Sequence, residues 1–188
     1  MWLQFNFRME ELYMNFFKFF GVALACSFFA STVAGAMNMI RSDVIPNGNY
    51  YLLTKLDQGK AMDVEGASID NRANVQLYRK NNTPAQVWNV NRLPNGNYTL
   101  RNLNSGKMLD VEGGEASNGT NIHQYEQNST AAQQWRIKHV GGINYKIYSD
   151  INGKMLVDVK YGQTTDGTNI QLWTDNGTDA QLWNFQRA

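Results

Sequence analysis

Three aspartates, Asp63, Asp110 and Asp158, are each followed fifteen residues later by an aromatic side chain, Tyr78, Tyr125 and Trp173. An ionised carboxylate has two acceptor oxygens and no donor, so it can take the hydrogens of two adjacent hydroxyls at once through charge-assisted, directional bonds. A ring beside it offers a flat apolar plate that loses little side-chain entropy when it is covered. Such a pair suits a ligand with hydroxyls along one edge and C–H groups on one face. The same residues admit a plainer reading, in which each Asp caps a turn at a hairpin end and each ring is ordinary cross-strand packing.

Composition says what kind of chain must position these pairs. The 188 residues carry 17 Lys+Arg against 16 Asp+Glu, a net charge of +1, which leaves no basic footprint for nucleic acid and no acidic tail. One cysteine cannot form an internal disulfide or a Cys-rich zinc site, and with only two histidines no structural metal is implied. Sixteen Gly, three Pro and 12% aromatic residues, with abundant Asn, Gln and Thr, point to an all-β chain of many short strands.

The strands come from one unit written three times. Asn-Gly-Asn-Tyr at 47–50 and 95–98 has a weaker copy, Gly-Ile-Asn-Tyr, at 142–145, and Gly59-Lys60, Gly106-Lys107 and Gly153-Lys154 stand 47 apart. Asp-Val follows at 63, 110 and 158, then Asn74-Val75, Asn121-Ile122 and Asn169-Ile170, the three rings, and a closing Gln86-x-Trp88, Gln133-x-Trp135 and Gln181-x-Trp183. The register slips once, and Val157 reads as the extra residue before Asp158. Repeats fall at about 46–92, 93–139 and 140–188. Within a repeat, Tyr98-Thr-Leu-Arg-Asn-Leu alternates with period two and resumes at Met108-Leu-Asp-Val as a hairpin partner, and Tyr125 to Gln133 is expected to close a second hairpin onto Trp135. That makes about four strands per repeat and about twelve in all. A propeller also uses four-stranded repeats of this length but normally needs four or more, so three copies favour a closed threefold trefoil.

With these motifs in view, the chain resembles the ricin B-type β-trefoil lectins and related carbohydrate-binding modules. The resemblance runs from Pro46 to Gln186 and rests on the threefold Gln-x-Trp, Asp-Val and aromatic set. It implies a six-hairpin β-trefoil with up to three shallow sugar pockets, no cofactor and no catalytic activity. The Asp would take the vicinal hydroxyls of a pyranose and the ring its C–H face. The residue two before the ring, here Gln76, His123 and Gln171, would add a polar contact, His123 departing from the usual Gln. A second departure is uniform: the family commonly has Asn just before the Gln of Gln-x-Trp, and this chain has Ala85, Ala132 and Ala180. Either Asn81, Asn128 and Asn176 supply a substitute amide, or the pockets bind more weakly or bind another epitope. Trp88, Trp135 and Trp183 are expected in the core with Gln86, Gln133 and Gln181 bonding backbone, and so are Met62, Leu109 and Leu156. Lys60, Lys107 and Lys154 read as solvated. The triplets Asn97-Tyr-Thr and Asn176-Gly-Thr look like glycan acceptors but are more simply turn chemistry.

The first 36 residues differ in kind. Phe19 to Val33 is uncharged, follows Lys18 and runs into Ala34-Gly35-Ala36, the pattern of a secretory signal peptide at 1–36, with Met14 the better start because Glu10 and Glu11 outweigh Arg8. The alternatives are an uncleaved anchor, since 18 uncharged residues just suffice to span ~30 Å of bilayer, and a lipid-modified Cys26. Cleavage leaves a short lead at 37–45, the domain at 46–188 and no cysteine, so a secreted or periplasmic chain held by packing alone, with no membrane contact.

Three function classes divide on these features. The expected one is a secreted, non-catalytic lectin whose partner is a glycan or polysaccharide, acting alone or as the recognition chain of a toxin or a polysaccharide-degrading enzyme. A glycosidase needs two carboxylates across one bond, whereas these Asp lie one per lobe, and His123 and His139 have no matching nucleophile. A protein-binding trefoil of the inhibitor or adhesion kind, contacting through a loop, is the alternative, and such relatives lack three Gln-x-Trp motifs.

Overall fold

The computed structural model describes residues 39, 40 and 42–188; the segment read as a signal peptide lies outside the described residues. Each repeat forms four strands. They are β1 (Gly48–Thr54), β2 (Asp57–Val64), β3 (Val75–Arg79) and β4 (Val87–Arg92) in the first repeat. The second has β5 (Tyr98–Asn102), β6 (Met108–Val111), β7 (Ile122–Tyr125) and β8 (Trp135–Gly141), and the third β9 (Asn144–Ser149), β10 (Met155–Val159), β11 (Thr168–Thr174) and β12 (Trp183–Arg187). All twelve expected strands are present, and the helical elements among the described residues are single 3₁₀ turns.

In every repeat the first strand pairs with the fourth, and the fourth pairs with the first strand of the next repeat. Strands β1, β4, β5, β8, β9 and β12 therefore close into a six-membered ring. Closure leaves these strands no free edge. The remaining strands make three hairpins, β2 with β3, β6 with β7 and β10 with β11. The hairpins meet one another where β11 pairs with β3 and at the bridges Asn74 to His123 and Asn121 to Gln171. This is a β-trefoil. The expected hairpin from β7 onto Trp135 does not form, because β8 pairs with β5 and β9 instead. A 3₁₀ turn over Ala131–Gln133 redirects the chain so that Trp135 can enter the core.

The Gln-x-Trp motif makes that redirection possible. Gln133 Nε2 donates to the carbonyl of Glu126 at 2.9 Å and its Oε1 accepts from the Asn128 amide at 2.9 Å, which satisfies both ends of a buried side chain. Gln86 and Gln181 repeat the pattern. Each Trp is fully buried, and its indole N–H donates to a carbonyl on the second strand of its repeat: Trp88 to Met62, Trp135 to Leu109, Trp183 to Val157. The third of these bonds corrects the register. Val157 is the counterpart of Met62 and Leu109, and Leu156 pairs with Trp173 as Met108 does with Tyr125. The extra residue is therefore taken up in the loop before Met155, and Leu156 is also buried.

The described residues of the lead, 39, 40 and 42–45, pack against the domain. Ile40 donates to the Phe185 carbonyl, Met39 bridges to Gln186, and Ile45 is buried. The three tyrosines of the Asn-Gly-Asn-Tyr landmark hold this segment by their hydroxyls: Tyr50 donates to Pro46, Tyr98 accepts from Ile45, and Tyr145 donates to the Ser42 carbonyl and accepts from its amide. Burial pushes the Tyr50 and Tyr145 hydroxyls above their usual value, so they stay protonated as donors.

A loop from each repeat also clasps the next. Asn71 accepts the Glu126 amide at 3.0 Å and Asn118 the Thr174 amide at 2.7 Å, and Asp166 closes the circle on the Arg79 amide at 2.7 Å. Only this last clasp is charged. Asp166 takes Lys60 Nζ at 2.6 Å and Arg79 Nε at 2.7 Å, so Lys60 is ion-paired rather than simply solvated. The Lys60 hydrogen bond is the main cause that lowers the Asp166 carboxyl from 3.8 to about 2. A depressed folded value means that the clasp's contribution is full above the unfolded 3.8 and is lost as pH falls toward 2. Asp166→Asn keeps an acceptor, as Asn71 and Asn118 do. Its melting temperature is expected to lie below that of the parent at neutral pH, with the gap closing between about pH 4 and pH 2. Parallel melts across that range check this, and a gap independent of pH would show that the charge contributes nothing.

Candidate functional site

Each hairpin carries one predicted cluster, and strand pairing assembles it. Asp63 stands opposite Gln76, Asp110 opposite His123 and Asp158 opposite Gln171. Two residues along the third strand the ring stands on the same face, because side chains alternate with period two. The contacts follow the register: Gln76 Nε2 donates to Asp63 Oδ1 at 3.0 Å, Gln171 Nε2 to Asp158 Oδ1 at 3.1 Å, and His123 Nε2 lies 2.9 Å from Asp110 Oδ1. These carboxylates sit within strand ladders, not at turn caps. They are 4–5% exposed, while the rings of Tyr78, Tyr125 and Trp173 are half-buried.

Burial raises the carboxyls of Asp63 and Asp158 above the ordinary carboxylate value, and the Gln hydrogen bonds oppose that rise only in part. In the second cluster Asp110 Oδ2 and His123 Nδ1 are buried without a partner among the described residues. His123 also stacks on Tyr125, with centroids 5.9 Å apart and planes 20° from parallel, a contact that a Gln there would lack. In the first, Arg79 lies 5.6 Å from the Tyr78 centroid, held there by Asp166.

The second and third clusters open into cavities of about 700 Å³ and 290 Å³. Asn128 and Asn176 line these cavities beside Ala132 and Ala180. Their carbonyl oxygens are committed to local turns, accepting from the amide and hydroxyl of Thr130 and Thr178, and Asn81 does the same for Thr83. Each Nδ2 has no partner among the described residues, so Asn128 and Asn176 offer their cavities a donor only.

Two further wall residues were not evident from the repeat. Arg72 lines the second cavity although it belongs to the first repeat, because the 70–73 loop lies along β7 and the Arg72 amide donates to Gln124. Its counterparts are Gly119 and Gly167, whose amides bond to Leu172 and Leu77 in the same way. Tyr161 lines the third cavity, and its counterparts three residues after the Asp are Gly66 and Gly113. Both positions are left-handed in every copy: φ is 68° at Arg72 and 58° at Tyr161. A side chain there costs about 1–3 kcal/mol. The detectable signal was glycine at two of three equivalent positions.

Three copies of an acceptor, a polar neighbour and a ring on a closed threefold barrel define a β-trefoil binding domain. The ricin-type beta-trefoil lectin domain matches residues 96–188, and the ricin-type beta-trefoil lectin domain-like family matches residues 43–125. The chain belongs to the ricin-type β-trefoil lectins, a family of carbohydrate-binding domains. No curated protein matches it. Among solved structures it is similar to the designed threefold-symmetric protein ThreeFoil, at 36% identity and TM-score 0.73 over 76% of this chain and all of that one. It is similar to the exo-β-1,3-galactanase 1,3Gal43A of Clostridium thermocellum, at 32% identity and TM-score 0.72 over 77% of this chain and 31% of that one, so it spans about a third of the galactanase. It is also similar to the Macrolepiota procera ricin B-like lectin, solved with lactose, at 25% identity and TM-score 0.67 over 78% of this chain and all of that one.

Proposed function

We propose that the protein is a secreted, non-catalytic lectin that binds glycans through the clusters at Asp63, Asp110 and Asp158, with the second and third the principal pockets. The observation that carries this reading is the repeated acceptor and ring, twice beside an open cavity lined by an Asn whose Nδ2 is left to donate. In each pocket the Asp takes vicinal hydroxyls, the ring covers a C–H face, and the Asn Nδ2 donates to a third hydroxyl in place of the absent family Asn. At the second pocket the unpaired Asp110 Oδ2 and His123 Nδ1 give a hydroxyl-rich ligand further groups to satisfy. The pockets are shallow and separate, so a repetitive glycan that engages more than one gains by effective concentration. The lactose in the fungal lectin and the galactanase that contains such a module support a β-galactoside ligand and a role as a recognition chain.

A glycan array tests this with the parent beside Tyr78→Ala, Tyr125→Ala and Trp173→Ala. Tyr125→Ala and Trp173→Ala are expected to lose most binding, and Tyr78→Ala less, all with little change in melting temperature. Variants that bind as well as the parent would remove these rings from the site.

A further inference from the structure

Tyr161 is the most exposed large apolar side chain among the described residues, at 80% of its surface. It holds a left-handed backbone, φ 58°, that favours glycine, and the other two repeats have glycine there, Gly66 at 62° and Gly113 at 64°. A Cβ built on either glycine meets nothing within 4 Å, and at Tyr161 the ring's recorded contact is the ammonium of the adjacent Lys160, 5.4 Å from its centroid, so burial in the core does not explain the side chain. An aromatic at a strained position, wet on most of its surface and on the wall of a cavity, marks a contact completed by something else.

Strand register shows where that contact falls. Trp173 pairs with Leu156, Gln171 with Asp158, and Ile170 with Val159 at the end of β10, and Tyr161 follows two residues later. Trp173 and Tyr161 thus flank Asp158 from opposite ends of the ladder, roughly two residues or ~7 Å of strand to one side and a short turn to the other. Both rings line the same cavity. The neighbouring repeat places Gly119 beside Trp173, where a Cβ would stand 4.0 Å from the ring, an ordinary contact. A sugar seated on Trp173 and held by Asp158 is one unit, and a second plate beyond the acceptor meets whatever is linked to it.

We infer that Tyr161 is a specificity-determining second platform, which makes the third pocket selective for saccharides of two or more linked units. This rests on the lectin reading above. The second pocket has Gly113 in that place and no such preference.

The indole N–H of Trp173 and the ring signals of Tyr161 in NMR titrations with galactose, lactose and β-1,3-linked galactotriose test it. All three sugars are expected to shift Trp173, and only lactose and galactotriose to shift Tyr161. The longer sugars should bind the third pocket about fivefold to tenfold more tightly than galactose, as a further aromatic contact supplies. Tyr161→Gly is expected to abolish that difference, keep the galactose affinity, and hold or raise the melting temperature, since glycine relieves the left-handed backbone. A difference that survives Tyr161→Gly, or galactose bound as tightly as galactotriose by the parent, overturns the role of Tyr161 and leaves the lectin reading standing. A Trp173 signal unmoved by all three sugars overturns both.

Discussion

Trp135→Ala is expected to lower stability by ~3–5 kcal/mol, the range for truncating a buried Trp. The site cannot collapse easily, because Trp135 is fully buried where β8 enters the barrel and is matched by Trp88 and Trp183 in the other repeats. The truncation also removes the indole donor from the Leu109 carbonyl, 3.2 Å away, and leaves that buried acceptor without its partner. Against a total of about 5–15 kcal/mol for a domain, that is a large fraction. The melting temperature should fall by roughly 10 °C or more. Trp135→Phe keeps most of the volume but loses the hydrogen bond and part of the buried ring, so about 1–3 kcal/mol is expected. Leu109 precedes Asp110 on β6, so the lost bond also loosens the backbone that presents the second carboxylate. Trp135→Phe should therefore weaken glycan binding at the second pocket while leaving the third unchanged. Urea unfolding of both variants, with sugar titrations of Trp135→Phe, checks the two effects; a Trp135→Ala protein melting within a few degrees of the parent would mean that the three tryptophans do not form one cooperative core.

What the sequence conveyed about this molecule was its local chemistry. The Gln-x-Trp motif is readable because both ends of the Gln bond within seven residues of it, and the alternation of β5 is visible because one of its faces is buried. The Asp and its ring are legible for the same reason, since their ladder lies within one hairpin. Contacts between repeats are not. Arg72 reaches a pocket fifty residues downstream, and Asp166 clasps Arg79, only because each loop folds over the next hairpin, a geometry with no local pattern. The contacts of Ser42 and Ile45 are equally invisible in the sequence, because their partners are hydroxyls at Tyr145 and Tyr98, far along the chain. Spacing alone points to Val157 as the extra residue of the third repeat because it counts residues and does not see that a loop absorbs insertions more readily than a ladder.

Asp158→Asn should separate binding from stability. Burial raises the Asp158 carboxyl above its ordinary value, so the fold favours the protonated form: its contribution to stability is full below the unfolded value and is lost as pH rises through the raised folded one. At neutral pH the ionised side chain is therefore a cost carried by the native state. Asparagine has nearly the same shape and still accepts from Gln171 Nε2, the bond that Asp158 receives at 3.1 Å, but it carries no charge to desolvate. The variant is expected to melt at or above the parent temperature at neutral pH, and to lose that advantage on acidification. Binding moves the other way. An amide offers one acceptor and one donor where the carboxylate offers two acceptors, so the fork for vicinal hydroxyls is lost, along with the charge assistance of the bond that remains. A loss on the order of tenfold to a hundredfold in affinity at the third pocket is expected. The parent should show the same weakening by titration, its third pocket releasing lactose as pH falls into a range above that of an ordinary carboxylate, while Asp158→Asn shows no such dependence. Lactose titrations followed at Trp173 over that range, beside melts of both proteins, settle it. A variant that loses stability at neutral pH would make Asp158 a structural residue, and one that binds lactose unchanged would place the acceptor elsewhere.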